Sequence, residues 1–168
     1  MSFSGEVKEE LQKQVAAARH CQIAELASIL HFCGSYRAAD ETYNQDEEKK
    51  SSAFCEMLLI QAENEAVIRK CFTLLKKTFK IEAVAKSQMQ TQNYRLFVTG
   101  EDAFRVLEAL KICDTAGHLM MRHLTDPVLI KNSCCKRAYL RGCYMAVGSM
   151  SDPYKSYHLE LVCGLQAL

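Results

Sequence analysis

The chain has 168 residues, 49% of them apolar, with two prolines and a net charge of +1 from 21 basic and 20 acidic side chains. That composition supports one folded domain with a real core and excludes a disordered chain. It lacks the global basicity that announces nucleic-acid binding, although a neutral total can hide a local patch. In chain order, Ser4 followed by Glu6, Glu9 and Glu10 predicts a capped first helix running to about Ala18, with acids near its positive end. Residues 21–33 form a second predicted helix, stopped at Gly34 by an expected left-handed turn. Residues 35–40 and 53–61 read as strands joined by the charged stretch DETYNQDEEKKSS. ENEAVIRKCFTLLKKTF places Val67, Cys71, Leu74, Leu75 and Phe79 at helical spacing. KIEAVAKSQ and NYRLFVTG read as a hairpin turning near Gln90-Thr91-Gln92, and EDAFRVLEALKI as a further helix.

After a linker the cycle restarts. Asp126-Pro127 opens a short turn or helix. Ser133 is the expected cap of a helix that ends at Gly148, and YHLELVC is a strand beyond the turn at Ser151-Asp152-Pro153. The expected organisation is residues 1–125 as an N-terminal helix plus a first unit, and residues 126–168 as the start of a second, truncated unit.

The two helices that open these units repeat one another. Cys21 to Ser35 reads CQIAELASILHFCGS, and Cys135 to Ser149 reads CKRAYLRGCYMAVGS. At an offset of 114 positions, five of fifteen residues coincide: Cys21/Cys135, Ala24/Ala138, Leu26/Leu140, Gly34/Gly148 and Ser35/Ser149. Such a repeat points to duplication and to two equivalent helices that pack together. Ala138, Gly142 and Ala146 lie four apart on one face, with Ala24 and Ser28 as counterparts, so two backbones can approach closely there. Phe32 is the counterpart of Ala146, and the contact is expected to splay at that end.

The nine cysteines show no CxxC spacing, and Cys134-Cys135 falls inside a predicted helix. Reduced, mostly buried thiols in a cytosolic protein are expected rather than a disulfide scaffold. The opening MSFSGEVKEELQKQ has no apolar stretch of a signal peptide, and no run is long enough for a membrane span. Cys113, His118 and His123 match no standard zinc spacing. His20 reads as a cap or surface residue.

LASILHFCG (Leu26 to Gly34) and LRGCYMAVG (Leu140 to Gly148) resemble degenerate LAGLIDADG motifs of homing endonucleases. The whole chain resembles the WhiA family of bacterial sporulation regulators more closely, from MSFSGEVKEEL through CQIAELASILHFCGS to CCKRAYLRGCYMAVGSMSDPYKSYHLE. The resemblance implies an α+β fold: a LAGLIDADG-like αββαββα unit followed by the start of a second, incomplete one, with the motif helices as the central interface. It also implies a C-terminal helix-turn-helix that reads DNA, absent from these residues, and a role in transcription of sporulation and cell-division genes on the nucleoid.

In an active LAGLIDADG nuclease the eighth motif residue of each helix is an acid that holds divalent metals. Here those positions are Cys33 and Val147, and the sixth positions are His31 and Met145. Valine cannot bind Mg²⁺ and cysteine is a poor ligand for it, so no catalytic residue, metal or cofactor is expected. Asp152 could stand as a displaced ligand but reads more simply as a turn residue. Cys33 lies near a helix C-terminus, which disfavours a thiolate nucleophile. Lys86, Gln88, Gln90, Gln92 and Arg95, near the tip of the second hairpin, could touch DNA, or could form a polar solvent-facing strand. Glu56 and Glu82, expected on the same sheet, weigh against DNA. Lys131, Lys136, Arg137 and Arg141 form a basic cluster that either meets phosphates or solvates the outer face of the second motif helix. Two functions follow: a non-catalytic domain that assists a DNA-binding regulator, or a protein-interaction or ligand-sensing module without DNA contact.

Overall fold

The computed structural model describes residues 2–38, 55–88, 93–117, 120 and 125–164, excepting the side chains of residues 37, 38, 55, 56, 87 and 88. In chain order these form α1 (Phe3–Lys13), α2 (Arg19–Cys33), β1 (Gly34–Ala38), β2 (Cys55–Ala62), α3 (Glu65–Phe79), β3 (Val84–Gln88), β4 (Asn93–Thr99) and α4 (Gly100–Ala109). A 3₁₀ turn at Pro127–Ile130 leads into α5 (Ser133–Val147), β5 (Gly148–Met150) and β6 (Leu159–Leu161). The expected αββαββα order is present between α2 and α4, preceded by α1.

Strands β1 to β4 make one antiparallel sheet in the order β1-β2-β4-β3, and β5 pairs with β6 in a separate two-stranded ribbon. Register sorts the side chains onto two faces, because neighbours directly opposite share a face. Leu58 faces Val98 and Ile60 faces Leu96 across β2 and β4, and all four are buried. They join Leu26, Ile29 and Leu30 of α2, Leu74 and Leu75 of α3, and Val106 and Leu107 of α4 in one core. Met145 of α5 also enters this core, so the second motif helix is packed against the first unit.

The helix ends show what local sequence decided. The N-cap of α1 is Ser2, whose Oγ accepts from Gly5 N at 3.1 Å. Ser4 is instead inside the helix, and its hydroxyl meets the Tyr144 hydroxyl at 3.1 Å. The helix stops at Lys13 rather than Ala18, and the Gln14 carbonyl is taken by Lys70. In α3, Asn64 caps through Ala66 N at 2.8 Å. Val67, Cys71, Leu74, Leu75 and Phe79 are all buried, as their spacing requires. Asp126 Oδ1 accepts from Val128 N at the start of the 3₁₀ turn. Ser133 is the first residue of α5, and Asn132 holds the cap position without a side-chain hydrogen bond.

Gly34 corrects the expected left-handed turn, and Gly148 ends α5 in the same way. Their φ values are −91° and −82°, in extended backbone, and each passes directly from helix into strand. Glycine is needed there for space. A Cβ on Gly34 would fall 2.5 Å from the Leu30 carbonyl oxygen, and one on Gly148 would fall 2.3 Å from Tyr144 Cδ2.

Candidate functional site

The candidate residues fall in two places: the paired motif helices, and the sheet face that the helices leave open.

Helices α2 and α5 pack along their length. Ala24, Ser28 and Ala138 are buried. Gly142 meets α2 so closely that an added Cβ would lie 1.9 Å from Ser28 Oγ and 2.5 Å from the Glu25 carbonyl oxygen. Ser28 satisfies its own buried hydroxyl by donating to that carbonyl at 2.7 Å. Ala146 and Phe32 are only partly buried.

A charged group that the sequence reading missed lies in this interface. Glu25 is fully buried. Arg141 of α5 donates to it through Nε and Nη2, both at 2.9 Å, and Lys70 Nζ of α3 lies 2.9 Å from Oε1. Lys70, also fully buried, donates further to the carbonyls of Leu11 and Gln14. Burial pulls the Lys70 ammonium below its usual range, against the attraction of Glu25. The hydrogen bonds from Arg141 to Glu25 raise the guanidinium's pKa. One carboxylate thus ties α2, α3 and α5 together and, through Lys70, the C-terminal end of α1. Arg141 therefore neither solvates a free helix face nor stands free for phosphate. The signal was present: Glu25 is the one charged residue in the run AELASIL, and a buried acid must find cations.

At the C-terminal ends of the pair, Cys33 and Ala146 line a cleft of about 360 Å³ together with Lys8, Gln61, Asn64 and Asn93. Cys33 and Val147 are the residues expected at the motif's carboxylate positions, and both close their helices. Burial pushes the Cys33 thiol up to about 11, opposed by nearby Lys8, so it is a neutral thiol near neutral pH. The Lys8 ammonium lies 5.8 Å from the centre of the Tyr144 ring. Burial lowers its pKa. A lysine beside a thiol is a poor seat for a hard divalent cation, which needs oxygen ligands and negative charge. Met145 is buried in the core, and His31 lines a small cavity with Ala27 and Tyr36. Asp152 is occupied in its turn: its carboxylate accepts from Tyr154 N at 3.0 Å, and its carbonyl accepts from Lys155 N and Ser156 N. Cys113 is buried in the core, while His118 and His123 lie outside the described residues.

The open sheet face carries the hairpin residues. Lys86 of β3 stands directly opposite Arg95 of β4, and Gln61 of β2 stands on the other side of Arg95. Arg95 is therefore on a central strand, not at the hairpin tip. Lys86 is exposed and its Nζ lies 5.4 Å from the centre of the Phe97 ring, on the same face. Arg95 is half-buried, and its Nε makes no hydrogen bond among the described residues. Gln88 is placed only by register, opposite Asn93; Gln90 and Gln92 lie outside the described residues. Glu82 precedes β3 and approaches Lys76 of α3 at 3.7 Å, so it is not part of this face. The Glu56 side chain lies outside the description. Lys131, Lys136 and Arg137 are exposed at the start of α5.

The family model described as WhiA LAGLIDADG-like domain matches residues 136–168. A protein of Lachnoclostridium phytofermentans named "Probable cell division protein WhiA" is 40% identical over 171 residues, covering 96% of this chain and 50% of that protein. The chain belongs to the WhiA family. A WhiA relative of the same name from Lachnospira eligens is 36% identical, over 97% of this chain and 49% of its own length. The chain thus spans about half the length of the curated WhiA relatives it matches. Among solved structures, the N-terminal LAGLIDADG domain of DUF199/WhiA aligns with a TM-score of 0.58 at 18% identity, over 95% of this chain and 66% of that one. Full-length DUF199/WhiA from Thermatoga maritima aligns with a TM-score of 0.57 at 21% identity, over 96% of this chain and 44% of that one. These likenesses establish the LAGLIDADG-type α+β fold. The WhiA relatives are named for cell division, and no helix among the described residues is long and apolar enough to cross a membrane.

Proposed function

We propose that this chain is a non-catalytic, DNA-associated part of a WhiA-type transcription regulator. It uses a homing-endonuclease scaffold to assist a separate DNA-reading domain. The observation that carries this reading is the cross-strand pair Lys86–Arg95. Like charges directly opposite on a sheet destabilise it unless an anion lies between them. The register sets Val84, Lys86, Gln88, Asn93, Arg95, Phe97 and Thr99 on this face of β3 and β4, and none is acidic. Arginine, lysine and glutamine on an open sheet face suit phosphates and base edges. Cys33 and Val147 at the motif ends, with Lys8 beside Cys33, support loss of metal-assisted hydrolysis.

Residues 126–164 fit the start of a second unit. The β5–β6 ribbon leaves Leu159, Leu161 and Val162 exposed, and an isolated two-stranded ribbon is marginal on its own. The same exposed residues favour the second reading, a surface for another polypeptide.

The test is fluorescence anisotropy of a labelled duplex against this chain across a salt series. Binding should weaken steeply with salt, and Lys86→Ala should lower the slope of log K against log salt by about 0.9. A Lys86→Glu/Arg95→Glu double variant should abolish binding. Absence of binding even at low salt would leave the protein-interaction reading. Mg²⁺-dependent cutting of the duplex by the pure chain would overturn the non-catalytic assignment.

A further inference from the structure

The pseudo-repeat brings together four metal-ligating side chains that lie far apart in sequence. The offset of 114 that aligns the motif helices also aligns the dyad His20-Cys21 with the dyad Cys134-Cys135. Each dyad occupies the second and third positions of its helix, since α2 starts at Arg19 and α5 at Ser133. In a helix pair related by an approximate two-fold, equivalent positions near the axis meet, and these do. The His20, Cys21, Cys134 and Cys135 ligand atoms all lie within 4.8 Å of one another. His20 Nδ1 is 3.1 Å from Cys135 Sγ and 3.4 Å from Cys21 Sγ.

We propose that these four residues form a tetrahedral site for a thiophilic divalent cation of the Zn²⁺ class. Three thiolates and one imidazole are a soft donor set that selects zinc over magnesium or calcium. Zn–S bonds of about 2.3 Å and Zn–N bonds of about 2.0 Å give tetrahedral edges of roughly 3.5–3.8 Å. The separations found here reach those edges by shifts of a few tenths of an ångström to about 1 Å. Neither helix has a side-chain hydrogen bond at its N-cap, Ala18 or Asn132. The partial positive charge of both helix starts is therefore available to favour thiolates. Cys21 and Cys135 are buried against Ala24 and Ala138, while His20 and Cys134 face solvent. The site is thus half packed and half open to metal entry.

Metal uptake exchanges thiol protons for the cation. Zn²⁺ binds three sulfurs and neutral His20 Nδ1, and up to three protons are released to solvent. Four protein ligands leave no open position for a reactive water, so the site is structural. It pins the N-terminal starts of α2 and α5, at the end of the pair opposite Cys33 and Val147. The sequence hid it because no CxxC spacing exists; each half supplies only two adjacent ligands.

The experiment uses the full 168-residue chain, purified under reducing conditions and freed of metal with a chelator. Zn²⁺ titration should give one equivalent bound, release protons in weak buffer, and raise the thermal midpoint. Co²⁺ should give the thiolate charge-transfer band and the intense visible d–d bands of tetrahedral cobalt. Cys134→Ser and His20→Gln, both at exposed positions, should keep the far-ultraviolet circular dichroism yet weaken Zn²⁺ binding at least about tenfold. Cys163→Ser, at an exposed cysteine outside the cluster, should bind as the parent does. Unchanged affinity in both cluster variants, or no metal retained by the reduced protein, overturns the proposal. A reduced chain that takes up no metal but loses two hydrogens on mild oxidation, by intact mass, would assign the cluster to a disulfide instead.

Discussion

Replacing Gly142 by alanine tests whether close approach of the two motif helices organises this molecule. The added Cβ would lie 1.9 Å from Ser28 Oγ, 2.5 Å from the Glu25 carbonyl oxygen and 3.3 Å from Ile29 Cγ1. The serine can rotate, at the cost of its hydrogen bond to Glu25 O. The carbonyl cannot move without its helix. Restoring a carbon–oxygen contact of about 3.3 Å requires α2 and α5 to separate by about 0.8 Å. That displacement also stretches the bidentate Arg141–Glu25 pair, whose two contacts are both 2.9 Å. Alanine gains about 1 kcal/mol over glycine in helix propensity. Overpacking costs about 1–3 kcal/mol, and a strained buried ion pair adds to that. The net expectation is a loss of about 2 kcal/mol, read as a fall in thermal midpoint of roughly 4–8 °C.

Urea unfolding followed by circular dichroism supplies the measurement, with a double-mutant cycle as its control. Ser28→Ala removes the nearest clash but leaves the Glu25 carbonyl, so rescue should be partial, with a coupling of at least about 0.5 kcal/mol. Arg137→Ala, exposed on α5, should stay within about 0.5 kcal/mol of the parent. A Gly142→Ala variant as stable as the parent, or more so, would show that propensity outweighs the contact and would refute the close-packing account. Zero coupling with Ser28 would place the clash elsewhere.

Three further outcomes follow from the same geometry. Glu25→Gln leaves Lys70 and Arg141 without their carboxylate and should cost about 3 kcal/mol or more in urea unfolding; Lys70→Met, which keeps the Arg141–Glu25 pair, should cost less. Stability should fall as pH rises from about 9 towards 11, because burial lifts Cys33 and Cys143 from an ordinary 9.0 to about 11. Their protonated folded forms stabilise fully below the unfolded value, and that contribution disappears as pH passes the folded one. Lys70, lowered by burial, acts in the opposite sense, and a Cys33→Ala/Cys143→Ala variant should show a shallower decline in unfolding free energy across that window. Gly148→Ala, whose Cβ would meet Tyr144 at 2.3 Å, should destabilise α5 and the β5–β6 ribbon, seen as faster amide exchange there than in α3.

Periodicity and punctuation were enough to reveal the αββαββα order, because each element carries its own local signature. The α3 heptad-like spacing, the strand pair at Cys55–Ala62 and Asn93–Thr99, and Pro127 at a helical start all act within a few residues. The helix pairing was legible because duplication wrote the small residues twice. Capping was less legible: Ser2 and Ser4 are both competent caps, and the choice falls to Ser2 while Ser4 meets the Tyr144 hydroxyl, 140 residues away. Glycine at positions 34 and 148 was recognisable as a helix stop, but the left-handed turn expected at Gly34 was the wrong reason, since steric room and left-handed backbone leave the same letter. Arg141, read as either a phosphate contact or a solvated charge, could be assigned to Glu25 only once α2 and α5 were in contact. The same holds for the four ligands at the helix starts. Long-range pairing between polar residues leaves no period in a sequence; its only local trace is the misfit residue, such as the charged Glu25 on a buried helix.

That misfit residue fits the non-catalytic reading proposed above. In a metal-dependent enzyme built on this frame, carboxylates at the C-terminal ends of the helix pair are a source of negative charge that metals neutralise. Here the C-terminal ends carry a neutral thiol and a valine, with Lys8 close by, and the negative charge sits mid-helix in Glu25, neutralised by two protein cations. Losing both cations would leave a buried carboxylate uncompensated, so α3 and α5, which supply Lys70 and Arg141, together hold α2 in place. The helix pair is held by Gly142 in the middle, by Glu25 beside it, and by the glycine corners that feed β1 and β5. None of these groups is free to do chemistry. The open sheet face, with Lys86 opposed to Arg95, is left outside this framework, and it is the surface on which the proposed DNA contact rests.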